Sequence, residues 1–167
     1  MSDEILPPGR SRETTIRRDA QGRWWHEGEP VENEQVAQAF HRWVDSGPDG
    51  RYVLKNGVNW GYVVIEGAPF FVTALREEQG RLQLRLSDGT EEPLDEETLR
   101  QDAAGVLYCD VKERTMAASF SRSAMYALEP WVDEEGLTVG GRRLAPPTES
   151  SPLRYAPPLR PQTPTEA

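Results

Sequence analysis

Two histidines are the first residues of this chain that could take part in catalysis or in metal binding. His26 has Glu27 and Glu29 close to it in the sequence, so it could act as a base beside a carboxylate. Neither His26 nor His41 belongs to an HxH or HExxH motif, and alternate residues of a strand point to opposite faces. A small hydrolase that uses His26 with nearby carboxylates is therefore an alternative hypothesis, and neither a metal site nor a catalytic residue is predicted.

Three serines, Ser119, Ser121 and Ser123, offer hydroxyl groups, but none of them lies in a G-x-S-x-G nucleophile elbow. Ser121 is better placed to cap the N-terminus of the helix that follows it. The glycine-containing turns lack a following Lys-Ser or Lys-Thr, so no nucleotide-binding loop is predicted. The sequence thus predicts no cofactor, and it holds no complete set of catalytic residues.

Aromatic residues are the remaining candidates for a binding site. Trp24 and Trp25 are adjacent in a predicted strand, so they point to opposite faces, and one of them is expected at the surface or at a domain junction. Arg122 and Tyr126 lie in the last predicted helix. Aromatic and arginine side chains often anchor interfaces. These four residues form the predicted binding site for a small molecule or a protein partner.

Composition excludes several classes of protein. The formal net charge of −9 argues against a general nucleic-acid binder, because neutralising phosphates requires clustered cations. No run approaches the roughly eighteen apolar residues that span a bilayer, and the N-terminus lacks a signal pattern, so a cytoplasmic protein without membrane contact is predicted. The single cysteine, Cys109, stands among apolar residues and is predicted to be a buried, inert thiol.

A short phrase containing Glu-Pro occurs twice, at residues 28–38 and again at residues 92–101. When the copies are aligned on their prolines, four pairs of positions are identical: Glu29 and Glu92, Pro30 and Pro93, Glu34 and Glu97, Gln38 and Gln101. Each copy follows a predicted strand and an acid-glycine turn, and each leads into a helical pattern. The repetition predicts two similar units in tandem, with a cleft between them.

Hydrophobic periodicity predicts helices over about residues 33–44, 95–102 and 124–132, with short strands between them. The predicted fold is α+β: two small tandem units of mainly antiparallel sheet, each packed with one or two helices, and a disordered Pro-rich C-terminal tail. The predicted boundaries are 1–13 for a flexible leader, 14–75 for the N-terminal unit, 76–145 for the C-terminal unit and 146–167 for the tail.

Several of these segments resemble one bacterial family. The resemblance is carried by residues 22–24, 28–31, 49–54, 65–70 and 121–128, and it covers about residues 15–145. Together they resemble the family catalogued as domain of unknown function 1285 (DUF1285). The resemblance implies two small α+β units in tandem and a role in ligand binding or signalling, without an established activity.

The leading hypothesis is a non-enzymatic binding or regulatory protein, whose small ligand or protein partner contacts the junction of the two units. Its predicted contacts are Trp24 or Trp25 together with Arg122 and Tyr126. A further alternative is a structural subunit that binds a partner through the arginine-rich leader or the proline-rich tail. The sequence specifies neither the identity of the ligand or partner nor the oligomeric state.

Overall fold

The computed structural model describes residues 11–149 of the 167-residue chain. These residues form two compact units, 11–66 and 67–149. The boundary therefore falls between Glu66 and Gly67, earlier than the predicted boundary after residue 75. The difference arises because the strand that begins at Phe70 pairs only with later strands. Most of the predicted leader and tail lies outside the described residues.

The first unit contains a six-stranded sheet and one helix. Its strands in chain order are β1 (Glu13–Arg18), β2 (Trp24–His26), β3 (Glu29–Pro30), β4 (Val44–Ser46), β5 (Tyr52–Asn56) and β6 (Asn59–Ile65). They lie side by side in the order β3-β2-β1-β6-β5-β4. Only β1 and β6 are parallel, and the other neighbours are antiparallel.

Helix α1 (Glu34–Trp43) follows β3 and precedes β4 in the sequence, and it packs against this sheet. The side chain of Asn33 caps it by accepting hydrogen bonds from the backbone N–H groups of Gln35 and Val36. Phe40 packs edge-on against Trp24, with ring centroids 5.4 Å apart. The helix predicted over residues 33–44 is thus confirmed, and its apolar stripe faces the sheet.

The second unit contains a seven-stranded sheet, a smaller three-stranded sheet and one short helix. The larger sheet has the order β16-β10-β11-β12-β7-β8-β9. Its strands are β7 (Phe70–Glu78), β8 (Arg81–Leu86), β9 (Glu91–Pro93), β10 (Arg100–Gln101), β11 (Leu107–Val111), β12 (Met116–Phe120) and β16 (Thr148–Glu149). The smaller sheet is formed by β13 (Val132–Asp133), β14 (Gly136–Val139) and β15 (Arg142–Arg143).

Helix α2 (Arg122–Ala127) follows β12, and Ser121 caps it as predicted by accepting from the N–H of Ala124. The helix is shorter than the predicted span of 124–132. It gives way to a 3-10 turn at Glu129–Trp131, because Pro130 has no backbone N–H with which to continue an α-helix.

The helix predicted over residues 95–102 is wrong. The structure has a single 3-10 turn, Glu96–Thr98, followed directly by β10. The turn stops because Leu99 is extended, with φ −60° and ψ 127°, and Arg100 then pairs with β11. Of the predicted tail, residues 146–149 are described, and Thr148–Glu149 pairs there in parallel with β10. The rest of the predicted tail lies outside the described residues.

The two larger sheets repeat one arrangement. The order β3-β2-β1-β6-β5-β4 matches β9-β8-β7-β12-β11-β10, and in both a parallel pair, β1 with β6 or β7 with β12, lies at the centre. The doubled phrase forms the edge strands β3 and β9, each ending at its proline. The backbone N–H of Val31 donates to Trp24 at 2.9 Å, and that of Leu94 donates to Leu82 at 2.8 Å. The predicted α+β fold of two tandem units is thus confirmed.

Each unit buries its own apolar residues. In the second unit Leu82, Leu84 and Leu86 alternate with exposed or half-exposed residues, as the period of two predicted. Cys109 is fully buried in β11. Among residues 11–149, no helix has both the length and the apolar character needed to cross a bilayer.

Candidate functional site

An apolar cavity of about 320 Å³ lies in the first unit, with lining residues from both α1 and the sheet. This volume is near the lower end of the roughly 300–1,000 Å³ that small-molecule sites occupy. The apolar lining consists of Ile16 on β1, Phe40 and Trp43 on α1, Leu54 on β5, and Trp60 and Val63 on β6. Small and polar residues complete it: Ser11, Arg12, Thr14, Asn56, Asn59 and Gly61.

The cavity exists because the helix does not close fully onto the sheet. None of the residues of α1 is fully buried, although Phe40 and Trp43 point toward the sheet, and Val36 keeps 39% of its surface exposed. Gly61 supplies no side chain to fill the space. A Cβ at that position would lie 2.8 Å from Cγ2 of Thr14, so a larger residue would force the lining to move.

Among residues 11–149, Arg12 is the one charged residue that lines this cavity. Its Nη1 donates a hydrogen bond to the backbone oxygen of Trp60 at 2.8 Å, and its guanidinium carbon lies 4.2 Å from the centroid of the Trp60 ring. Within residues 11–149 no carboxylate forms an ion pair with Arg12. An apolar cavity therefore carries a single positive group, held in place by stacking and by one hydrogen bond.

Beneath α1 the structure brings together Arg18, Trp24, His41 and Tyr52. Arg18 is fully buried, and burial lowers the pKa of its guanidinium to about 10 despite the nearby Tyr52 and Asp19. Burial, followed by the charge of Arg18, lowers the pKa of His41 to about 4. The indole nitrogen of Trp24 lies 3.3 Å from each ring nitrogen of His41. His41 is therefore neutral near pH 7 and helps to hold α1 on the sheet.

The four residues predicted to bind a ligand or partner lie in two pairs. Trp24 is buried, with 2% of its surface exposed, whereas Trp25 is half-buried on the opposite face, as predicted. The Trp25 indole donates to Asp19 at 3.0 Å, and Arg17 stacks on its ring at 4.8 Å. Arg122 and Tyr126 are exposed on α2 of the second unit. That the two pairs form one site stays a prediction.

His26 lies at the exposed end of β2, where it pairs with Glu29 of β3 across the hairpin. In the part of the chain that the structure describes, its side chain makes no hydrogen bond to a carboxylate that would orient it as a base. Within those residues no group of three or more His, Cys, Asp or Glu side chains is placed to hold a metal ion.

A larger open cavity of about 900 Å³ lies in the second unit, next to the turn between β11 and β12. Many charged side chains line it, and they form ion pairs with one another or with nearby residues. Lys112 pairs with Asp88 at 2.7 Å, and Arg114 with Asp95 and Glu97 at 2.7 and 2.9 Å. Lys112, Glu113 and Arg114 all have positive φ, between 53° and 64°. These ion pairs hold a strained turn, so the cavity of the first unit is the better candidate for a ligand.

Comparisons with known proteins identify the fold. No family model matches the sequence, and no curated protein matches it either. Two solved structures are similar. A DUF1285 family protein from Silicibacter pomeroyi DSS-3 is 21% identical, with a TM-score of 0.60 and coverage of 78% of each chain. One from Shewanella baltica OS155 is 20% identical, with a TM-score of 0.57 and coverage of 72% of this chain and 94% of that chain.

These two structures show that the chain has the α+β fold of DUF1285 family proteins. The resemblance found in the residues is thereby confirmed at the level of the fold. Identities of 20% and 21% carry no ligand and no activity from those proteins to this one.

Proposed function

We propose that this protein is a non-enzymatic binding protein that holds a small, largely apolar ligand in the cavity of the first unit. The observation that supports the proposal is the incomplete closure of α1. Phe40 and Trp43 line an apolar space, yet none of the residues of their helix is fully buried. A ligand in that space would remove apolar surface from water at about 25 cal/mol per Å².

The same geometry links binding to the stability of the first unit. Since α1 is held mainly by one apolar stripe and by the contacts of Trp24 and His41, a ligand between helix and sheet adds contacts that only the folded unit can make. Binding then stabilises the unit by mass action. In this proposal, ligand binding changes how α1 packs against the sheet, and that change is the regulatory signal. Such a signal agrees with the signalling role that the family resemblance implies.

A neutral apolar dye tests this proposal. Trp43 and Trp60 line the cavity, so binding of N-phenyl-1-naphthylamine should quench tryptophan emission and raise the emission of the dye. Leu54→Phe adds volume inside the cavity. Val58→Phe adds a ring at a position that is 77% exposed and outside the cavity lining, and it serves as the matched control.

We expect Leu54→Phe to weaken dye binding by about tenfold. The larger side chain takes up space that the dye needs, and a loss of about 1.4 kcal/mol in binding free energy corresponds to a tenfold loss of affinity. Val58→Phe should bind the dye as the unaltered protein does. Equal dye affinity in all three proteins, or no binding to the unaltered protein, would overturn the placement of the ligand in this cavity. Far-ultraviolet circular dichroism of both variants shows whether the fold is retained.

A further inference from the structure

We infer that the ligand of this cavity is a carboxylate with an apolar body, of the medium-chain fatty acid class, and that Arg12 binds its carboxylate group. The inference rests on the proposed function and names the chemistry of that ligand. It depends on one contrast: the chain has 28 acidic residues, yet among residues 11–149 no acidic residue lines the cavity, and the one charged lining residue in that range is an arginine.

Arg12 is prepared to bind an anion. Within the described residues its guanidinium donates one hydrogen bond, to the Trp60 backbone oxygen, which leaves its other N–H groups for a ligand. Stacking on Trp60 at 4.2 Å fixes the plane of the guanidinium, so little conformational freedom is lost when a carboxylate binds. A planar guanidinium can donate two parallel hydrogen bonds to a carboxylate.

The remaining lining sets the shape of the ligand. Ile16, Leu54 and Val63 from three strands face Phe40 and Trp43 from the helix, which suits an unbranched hydrocarbon body. Asn56 and Asn59 add neutral polar groups to the lining without adding charge.

A phosphate group fits this site less well. Phosphate sites usually combine several cations or the N-terminus of a helix with backbone N–H groups. Here α1 contributes Phe40 and Trp43 from its C-terminal half, and the capped N-terminus at Asn33 is not part of the lining. Within the described part of the chain, recognition of the anion therefore depends on Arg12, which makes its substitution a sharp test.

The experiment compares decanoate with 1-decanol, both below the concentrations at which they aggregate, by displacement of bound N-phenyl-1-naphthylamine. Arg12→Met keeps an unbranched side chain but removes the charge, and Arg12→Lys restores a positive charge. Arg42→Met is the matched control, because Arg42 is exposed on α1 and is not part of the cavity lining.

We expect decanoate to bind the unaltered protein at least about tenfold more tightly than 1-decanol, as a charge-assisted hydrogen bond predicts. Arg12→Met should remove that preference, so that decanoate and 1-decanol bind this variant with similar affinity. Arg12→Lys should retain part of the preference, and Arg42→Met all of it.

Two results would overturn the inference separately from the proposed function. If the dye binds and Leu54→Phe weakens it, but decanoate and 1-decanol bind equally, the cavity binds ligands without recognising a carboxylate. If decanoate is preferred but Arg12→Met keeps the full preference, the carboxylate is bound elsewhere. If the dye itself does not bind, the proposed function fails first.

Discussion

Arg100 and Asp110 form a buried ion pair in the second unit, with 2.9 Å between Nη2 of the arginine and Oδ1 of the aspartate. Their side chains keep 7% and 0% of their surfaces exposed. In the first unit, the corresponding strands β4 and β5 place the apolar residues Val44 and Leu54 opposite each other. One architecture thus contains a buried ion pair between two strands in one unit and a pair of opposed, buried apolar residues in the other.

Replacing the aspartate should be costly. Asp110→Ala removes the carboxylate that offsets a buried guanidinium, so we expect the free energy of unfolding of the second unit to fall by about 3–5 kcal/mol. The double substitution Arg100→Met with Asp110→Leu removes both charges, and it should recover most of that loss. Cys109 lies next to Asp110 in β11, so its reaction with Ellman's reagent during urea unfolding reports on this unit. Equal losses in the single and double variants would contradict the expectation.

The stability of the first unit should fall in mild acid because of His41. Its pKa is about 4 in the folded protein, compared with 6.5 for an unperturbed histidine, mainly because of burial. The unfolded chain therefore takes up a proton between these two values that the folded chain does not, so stability is lost as the pH falls through this window. Urea unfolding followed by tryptophan emission measures the loss, since four of the five tryptophans lie in residues 24–60.

His41→Phe keeps an aromatic ring beside Trp24 but cannot titrate, so its stability should change less with pH across the same window. His26→Phe is the control, because His26 is exposed on β2. A His41→Phe protein that retains the full acid dependence would show that another group is responsible.

Gly140, in the turn between β14 and β15, lies close to Gly80, in the turn between β7 and β8. A Cβ on Gly140 would lie 2.5 Å from Cα of Gly80 and 2.7 Å from its carbonyl oxygen. Gly141 also has a positive φ, of 77°, but a Cβ there would meet nothing within 4 Å. We expect Gly141→Ala to cost about 1 kcal/mol from backbone strain and Gly140→Ala about 1–3 kcal/mol more from overlap. Urea unfolding of the two variants measures the difference, and equal costs would rule out the contact as its cause.

Cys109 should be unreactive in the folded protein. Burial raises the pKa of its thiol to about 12, so almost no thiolate is present near neutral pH. We expect iodoacetamide to modify the thiol only in denaturant, as intact-mass spectrometry would detect. Rapid modification without denaturant would mean that β11 opens readily.

The parts of the fold that the sequence predicts well are local. Asn33 and Ser121 are of residue types that commonly cap the N-terminus of a helix. The alternation of Leu82, Leu84 and Leu86 with polar residues is enough to predict their strand. The helix predicted over residues 95–102 does not form. The acidic residues of this segment suit the start of a helix, but the pairing of Arg100 with β11 favours an extended chain. That pairing depends on tertiary contacts and leaves no local pattern.

The cavity was not predictable for the same reason. The apolar stripe of α1 indicated a buried face, but its spacing does not reveal how closely the helix approaches the sheet. The sequence prediction placed Arg12 in the leader. In the structure its backbone oxygen accepts a hydrogen bond from the N–H of Tyr62, and its side chain stacks on Trp60. Nothing next to Arg12 in the sequence indicates either contact. Only the parallel pairing of β1 with β6 brings these residues together.

That parallel pairing also limits when each unit can fold during synthesis. β1 is the first strand of its unit and β6 the last. In the larger sheet of the second unit β7 is the first strand, and only the short strand β16 follows β12. The central pair of the first unit cannot form until β6, its last strand, has left the ribosome, and that of the second unit must wait for β12. Closing so long a loop is the slow, entropically costly step. Hairpins such as β2–β3 can form early, but the first unit gains its central pair only when β6 arrives. Each half of the duplication therefore folds as one late, cooperative event, and the first half can complete it while the second is still being translated.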